Sequence, residues 1–72
     1  MQTKLLALRR ENNETQSQLA KLLGLSVTSY SLKENGRVQF KSNEMFKLAH
    51  HFNKPIEDIF LPQKYTKREL NK

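Results

Sequence analysis

The apolar residues of this chain recur three or four positions apart, which is the spacing of amphipathic helices rather than of strands. The first stripe predicts a helix over about residues 2–12 that turns Leu5 and Leu8 inward. Asn13 can end this helix, because asparagine tolerates the left-handed backbone conformation. A second stripe predicts the next helix, and its inward positions are Leu19, Ala20 and Leu23.

Polar residues between the stripes carry the signals that start and stop helices. The run Thr15–Gln18 has the spacing of a capping box, so the second helix begins there. Gly24 ends it, because glycine adopts the left-handed conformation without steric cost, and Leu25 follows as a buried plug. Ser26 can cap a third helix that runs to about Asn35.

The second half of the chain predicts two more helices. A fourth runs from Lys41 or Ser42 to near Asn53, with an inward face that consists of Met45, Leu48, Ala49 and Phe52. Pro55 suits the first turn of a short fifth helix, where a missing N–H costs little. The apolar residues that would close the core there are Ile56, Ile59 and Phe60. We therefore predict one all-α, compact five-helix domain over residues 1–61 and a basic tail over residues 62–72.

Composition narrows the class of protein. The chain has 72 residues and no cysteine, which leaves room for one small core and excludes disulfides and thiolate metal sites. The net charge of +6 favours an anionic partner, with nucleic acid the first candidate. The longest early apolar run, Leu5–Leu8, is too short for a signal peptide or a membrane span, so we expect a cytoplasmic protein.

No set of residues suggests catalysis or a cofactor. His50 and His51 are adjacent on a predicted helix, where neighbours point about 100° apart and cannot share a metal ion. Glu57 and Asp58 are typical of the acidic first turn of a helix rather than of an acid–base pair. We expect no enzyme, no metal site and no cofactor.

Residues 16–36 carry the parts of a helix-turn-helix: an eight-residue helix, a turn built on Gly24-Leu25-Ser26 and a second short helix. Over residues 5–60 the chain resembles the Cro/repressor-type, or XRE, helix-turn-helix family, in a register that needs no gap. The matching residues are Leu8, Arg9, Gln16, Leu19, Ala20, Leu23, Gly24, Ser26, Glu34, Asn35, Gly36, Leu48, Ala49 and the ending Ile56–Phe60.

This resemblance implies a lambda-repressor-like fold and a transcriptional regulator that binds double-stranded operator DNA, often as a homodimer on a palindrome. Many short members come from phage switch regions, so we expect a phage lysis–lysogeny switch protein that acts on DNA in the bacterial host cell. The resemblance also implies a partly buried ion pair between Arg9 and Glu34; the alternative is an exposed pair of little value.

The resemblance also suggests which residues contact DNA. The residues that would bind phosphates are Gln16, Asn35, Arg37 and Lys41, together with the first backbone amides of the second helix, at Ser17. The alternative for Asn35, Arg37 and Lys41 is that they are ordinary solvated surface. Thr28 and Ser31 would lie closest to the base edges, where each can form one ambiguous hydrogen bond.

The expected DNA-reading face departs from the family by being apolar. The apolar residues predicted on or beside it are Leu22, Val27, Leu32, Val38 and Phe40. Because an exposed apolar set usually marks a protein partner, a second hypothesis is a modulator or antirepressor that grips a partner repressor with this face. In a third hypothesis, Tyr30 or Leu32 turns inward, the helix repacks to cover Lys33, and the protein has some unrelated role.

Overall fold

The computed structural model describes residues 1–63, so most of the predicted basic tail lies outside the described residues. In residues 1–63 the chain forms α-helices and one 3-10 turn, with no strand, which confirms the predicted all-α class. The helices are α1 (Thr3–Glu11), α2 (Gln16–Leu23), α3 (Val27–Glu34) and α4 (Ser42–Phe52), and the 3-10 turn is Ile56–Asp58.

The helix ends follow the predicted local signals. Thr15 and Gln18 form a reciprocal capping box, in which the Gln18 N–H donates to Thr15 Oγ1 at 3.1 Å and the Thr15 N–H donates to Gln18 Oε1 at 2.7 Å. Ser26 Oγ accepts from the Ser29 N–H and starts α3. Asn13 follows α1 in the left-handed region, with φ of 55°.

The predicted fifth helix is reduced to a single 3-10 turn. Its backbone bonds include the Ile59 N–H to the Ile56 carbonyl at 3.0 Å. Pro62 disfavours the α-helical conformation at the residue before it, so a helix cannot continue through Leu61. The short turn still buries Ile59 and Phe60, as predicted.

The core lies where all four helices and the turn meet. Tyr30 is fully buried, and its ring makes an edge contact with Phe40, with centroids 6.1 Å apart. Phe60 packs in the same way on the other side of Phe40, at 5.1 Å. The buried apolar residues are Leu5, Leu8, Leu19, Ala20, Leu23, Tyr30, Phe40, Leu48, Ile59 and Phe60.

Phe40 was predicted on the exposed partner-binding face, and that prediction is wrong. Only 4% of Phe40 is exposed, because its ring fills the space between Tyr30 and Phe60. Tyr30 does turn inward, as the third hypothesis allowed, but Leu32 stays exposed. Lys33 is buried as well, and the structure provides it with an anionic partner rather than an apolar cover.

Two glutamine amides fasten the ends of the described chain to its body. Buried Gln2 clamps the backbone of Leu61: Gln2 Oε1 accepts from the Leu61 N–H at 2.7 Å, and Nε2 donates to the Leu61 carbonyl at 3.3 Å. Gln63 clamps Phe40 in the same way, at 2.6 and 3.3 Å. The segment after the 3-10 turn is therefore held against the loop between α3 and α4.

Candidate nucleic-acid interface

The α2–turn–α3 unit has the close helix crossing that a helix-turn-helix needs. Ala20, on the inner side of α2, is 1% exposed, so a larger side chain would have no room there. Gly24 has φ of 71°, in the left-handed region, and ends α2. The Leu25 N–H then bonds back to the Ala20 carbonyl at 2.8 Å, which fixes the turn before α3 starts.

The outer face of α3 is short of hydrogen-bonding groups. Val27, Thr28 and Leu32 are exposed, and Ser31 is half-buried. The Ser31 hydroxyl accepts a long bond, 3.4 Å, from the Asn35 amide. With only hydroxyl groups and aliphatic surface, this face can make single hydrogen bonds and methyl contacts, but no bidentate contact to a base.

The first turn of α2 presents backbone amides that the helix itself leaves unpaired. Ser17, in that turn, is exposed. Gln16 is half-buried, and its side-chain Nε2 donates to Glu34 Oε1 at 2.9 Å. One hydrogen of that amide is therefore used inside the protein. The other hydrogen and the backbone N–H groups would be available to bind a phosphate.

The loop after α3 exposes the other predicted phosphate-binding side chains, Asn35, Arg37 and Lys41. The backbone N–H groups of Arg37 and Val38 both donate to the Leu32 carbonyl, at 2.9 and 3.3 Å, so the loop wraps tightly over the end of α3. Arg37 forms no ion pair with the described residues. Its charge is thus free for an external anion.

Gly36 lets the N-terminus lie against this loop. Its φ is +83°, and a Cβ built at this position would come within 2.9 Å of the Met1 nitrogen. A larger residue would both strain the backbone and displace Met1.

The carboxylate of Glu34 joins α1, α2 and α3. Arg9 approaches it side-on, with Nε 2.9 Å from Oε2 and Nη2 3.2 Å from Oε1. Tyr30 donates its hydroxyl to Oε2 at 2.8 Å, and Gln16 donates to Oε1. Each carboxylate oxygen accepts two bonds, so the pair implied by the resemblance is part of a larger buried network.

This network shifts the pKa values of its members. Burial alone would raise the pKa of Glu34, but the bonds from Arg9, Gln16 and Tyr30 favour the carboxylate, and its pKa lies below the usual range. Burial, together with the bond to the carboxylate, raises the pKa of the Tyr30 hydroxyl above its usual range. Glu34 is therefore an anion, and Tyr30 a neutral donor, at neutral pH.

A second buried ion pair joins α3 to α4, and the sequence analysis did not identify it. Lys33 Nζ lies 2.6 Å from Glu44 Oε1, and the two side chains are 8% and 7% exposed. The same oxygen accepts from the Lys41 N–H at 2.8 Å, at the start of α4. Burial would raise the pKa of Glu44, but these two bonds hold it below its usual range. The sequence did contain a signal for this pair, because Lys33 and Glu44 each occupy an inward position on a helix.

Leu22 lies apart from the other residues of the predicted partner-binding face. It lines a shallow groove between α2 and α4 together with Phe46, which the sequence analysis also missed. We call this the α2–α4 groove; its residues are Leu22, Phe46, Lys47, His50 and His51. His51 Nε2 lies 2.6 Å from Glu14 Oε2, whereas Glu14 Oε1 is buried without a partner among the described residues.

Candidate metal sites and membrane-spanning helices are both absent from the described part of the chain. Residues 1–63 contain no group of three histidine or acidic side chains that could hold a metal ion. No helix in that range has the length and apolar character needed to cross a membrane.

Comparison with known proteins places this geometry in context. A family model described as Helix-turn-helix matches residues 5–59. A protein from Archaeoglobus fulgidus described as an uncharacterized HTH-type transcriptional regulator is 34% identical over 61 residues, which cover 85% of this chain and 86% of the relative. The crystal structure of a transcriptional regulator from Listeria innocua superposes with a TM-score of 0.76 at 18% identity, over 96% of this chain and 66% of that one.

Proposed function

Because the chain belongs to the XRE-type helix-turn-helix family, we propose that it regulates transcription by binding double-stranded operator DNA through α2, α3 and the loop after α3. In this proposal the first amides of α2, at Gln16 and Ser17, bind one phosphate. Asn35, Arg37 and Lys41 bind others, and the residues nearest the bases are Thr28 and Ser31.

The observation that carries this proposal is Arg37, which is exposed and forms no ion pair with residues 1–63, in a loop that is fastened on three sides. The loop is bonded to the Leu32 carbonyl, packed through Phe40 and clamped by Gln63. A cation held on a rigid loop can bind a backbone phosphate without first being ordered, which lowers the entropic cost of binding.

We propose further that the operator is the control region of a phage-type genetic switch, inside a bacterial host cell. The support is the resemblance to the short switch regulators of the family. Binding as a homodimer to a palindrome would follow from the same resemblance, because half-site spacing mirrors two-fold symmetry in this class.

An alternative proposal is an antirepressor that grips a partner repressor with the helix-turn-helix face. The observation that favours it is the exposure of Val27, Leu32 and Val38 around a helix with few polar groups. Phe40 takes no part, because it is buried in the core.

The test of DNA binding starts with selection from a random duplex library, followed by fluorescence anisotropy of the selected duplex at several KCl concentrations. Arg37→Ala should weaken binding to every duplex and flatten the salt dependence by about one phosphate contact. Lys54→Ala is the matched control, because it removes one exposed charge beside α1, away from the proposed contacts. Equal effects of the two variants would contradict the role of the loop, and a protein that binds no duplex would contradict operator binding altogether.

A further inference from the structure

The α2–α4 groove presents apolar surface that neither the core nor DNA binding explains. Phe46 is 63% exposed and Leu22 is 39% exposed, although both belong to helices whose inner faces are well buried. None of the proposed DNA-contacting residues lines the groove. Surface of this kind, on a domain this small, is expected where another molecule binds.

Positive charge from lysine lies in and beside the groove. Lys47 and His50 line it, and Lys21 is the exposed neighbour of Leu22 on α2. The ion pairs among residues 1–63 involve none of these three side chains. Among the described residues, the carboxylate of Glu14 contacts the groove lining, and it is bonded to His51. Lys47 in the groove lining, and Lys21 one residue before Leu22, therefore supply positive charge that no ion pair among residues 1–63 neutralises.

We propose that the α2–α4 groove binds an acidic amphipathic helix of a partner protein. Leu22 from α2 and Phe46 from α4 supply apolar contacts on the two walls, which suits the apolar face of a helix laid between them. Carboxylates on the flanks of that helix would meet Lys21 and Lys47. Complementary charge of this type speeds encounter and selects against basic or neutral partners.

The same charges argue against the two other occupants. In a two-fold dimer the groove would meet the same surface of a second copy, so Lys47 would face a surface with no free carboxylate to pair with it. A DNA phosphate would be attracted by the lysines, but it would leave the exposed ring of Phe46 unexplained.

The experiment is a titration of the full chain with a synthetic helical peptide. The peptide has about 18 residues, above the length at which isolated helices are marginal, with Leu and Phe along one face and Glu along both flanks. Its control has Gln in place of each Glu. Amide shifts in a heteronuclear NMR spectrum locate the binding site, and calorimetry gives the Kd.

The expected result is binding of the acidic peptide with shifts centred on Leu22, Phe46 and His50, and much weaker binding of the Gln peptide. Phe46→Ser should raise the Kd by about tenfold or more, because truncation at the centre of an interface removes its main apolar contact. Lys47→Glu should weaken the acidic peptide more than the Gln peptide. Ala7→Ser is the matched control: it also places a serine at an exposed apolar position, but on α1 outside the groove, and should leave the Kd unchanged.

Four outcomes would overturn the proposal. The first is equal binding of the two peptides, and the second is shifts that map to α3 instead of the groove. The third is concentration-dependent self-association that Phe46→Ser abolishes, which would assign the groove to a second copy. The fourth is loss of DNA affinity in Phe46→Ser with the fold intact by circular dichroism, which would assign it to DNA.

Discussion

Replacing Lys33 tests whether the buried ion pair between α3 and α4 holds the domain together. Lys33→Met keeps a similar length and apolar character but leaves the Glu44 carboxylate, in a side chain that is 7% exposed, with the Lys41 N–H alone. Breaking a buried pair from one side costs about 3–5 kcal/mol, because the remaining charge is desolvated and unpaired. A domain of this size has a total stability of roughly 4–11 kcal/mol, so this variant should lose a large fraction of it.

The double variant Lys33→Met/Glu44→Leu separates the value of the pair from the cost of an orphaned charge. It removes both charges and one hydrogen bond at the start of α4, which is worth about 1 kcal/mol. Apolar replacement of a buried pair is often neutral or stabilising. The double variant should therefore be more stable than either single variant, with a coupling energy of at least about 2 kcal/mol.

The assay is urea denaturation of the full chain at neutral pH, followed by far-ultraviolet circular dichroism. Lys54→Met is the matched control, because Lys54 is exposed, and it should change the free energy of unfolding by less than about 0.5 kcal/mol. If Lys33→Met costs no more than Lys54→Met, or if the double variant loses the sum of the two single losses, burial does not determine what this ion pair contributes to stability.

Three further changes have expected outcomes. Arg9→Ala should lower the melting temperature well below that of Arg10→Ala, an exposed control, because the buried carboxylate of Glu34 loses two hydrogen bonds. Equal melting temperatures would show that the pair does not contribute to stability. Glu14→Leu should raise the free energy of unfolding in urea by about 1 kcal/mol or more, because it removes a buried oxygen that has no hydrogen-bond partner among residues 1–63. A loss of stability would show that the bond to the histidine matters more. Lowering the pH should destabilise the protein, because the pKa values of the two buried glutamates lie below their usual range: their contribution is complete above the unfolded pKa of about 4.3 and is lost as the pH falls through the folded values. Urea titrations between neutral pH and pH 3 measure this loss, and a flat profile would contradict it.

The helices could be predicted because their signals act over a few residues. The Thr15–Gln18 capping box, the left-handed Gly24 and the Ser26 cap each involve atoms within four positions along the chain. Such contacts form whenever the segment is helical, whatever it packs against. For the same reason α2 and α3 have the predicted starting points.

The contacts between distant parts of the chain could not be predicted, because they depend on which side chains meet in the folded structure. Phe40 lies in a loop with no periodicity, and only the space between Tyr30 and Phe60 makes it a core residue. Lys33 looked like a misplaced charge until Glu44, eleven residues later, came within bonding distance. Polar residues at inward positions can mark buried pairs, but helical periodicity alone does not identify the partner.

Lys33 and Glu34 are consecutive, and on a helix consecutive side chains point about 100° apart. One bonds to α4 through Glu44 and the other to α1 through Arg9, so the end of α3 is held from two sides by short, directional contacts. A helix fixed in this way has little freedom to adjust to the bases, and its outer face offers Val27 and Leu32 rather than amides or guanidinium groups. Affinity for DNA would then come mainly from phosphates, and preference among sequences from thymine methyl groups and the ease with which each duplex deforms.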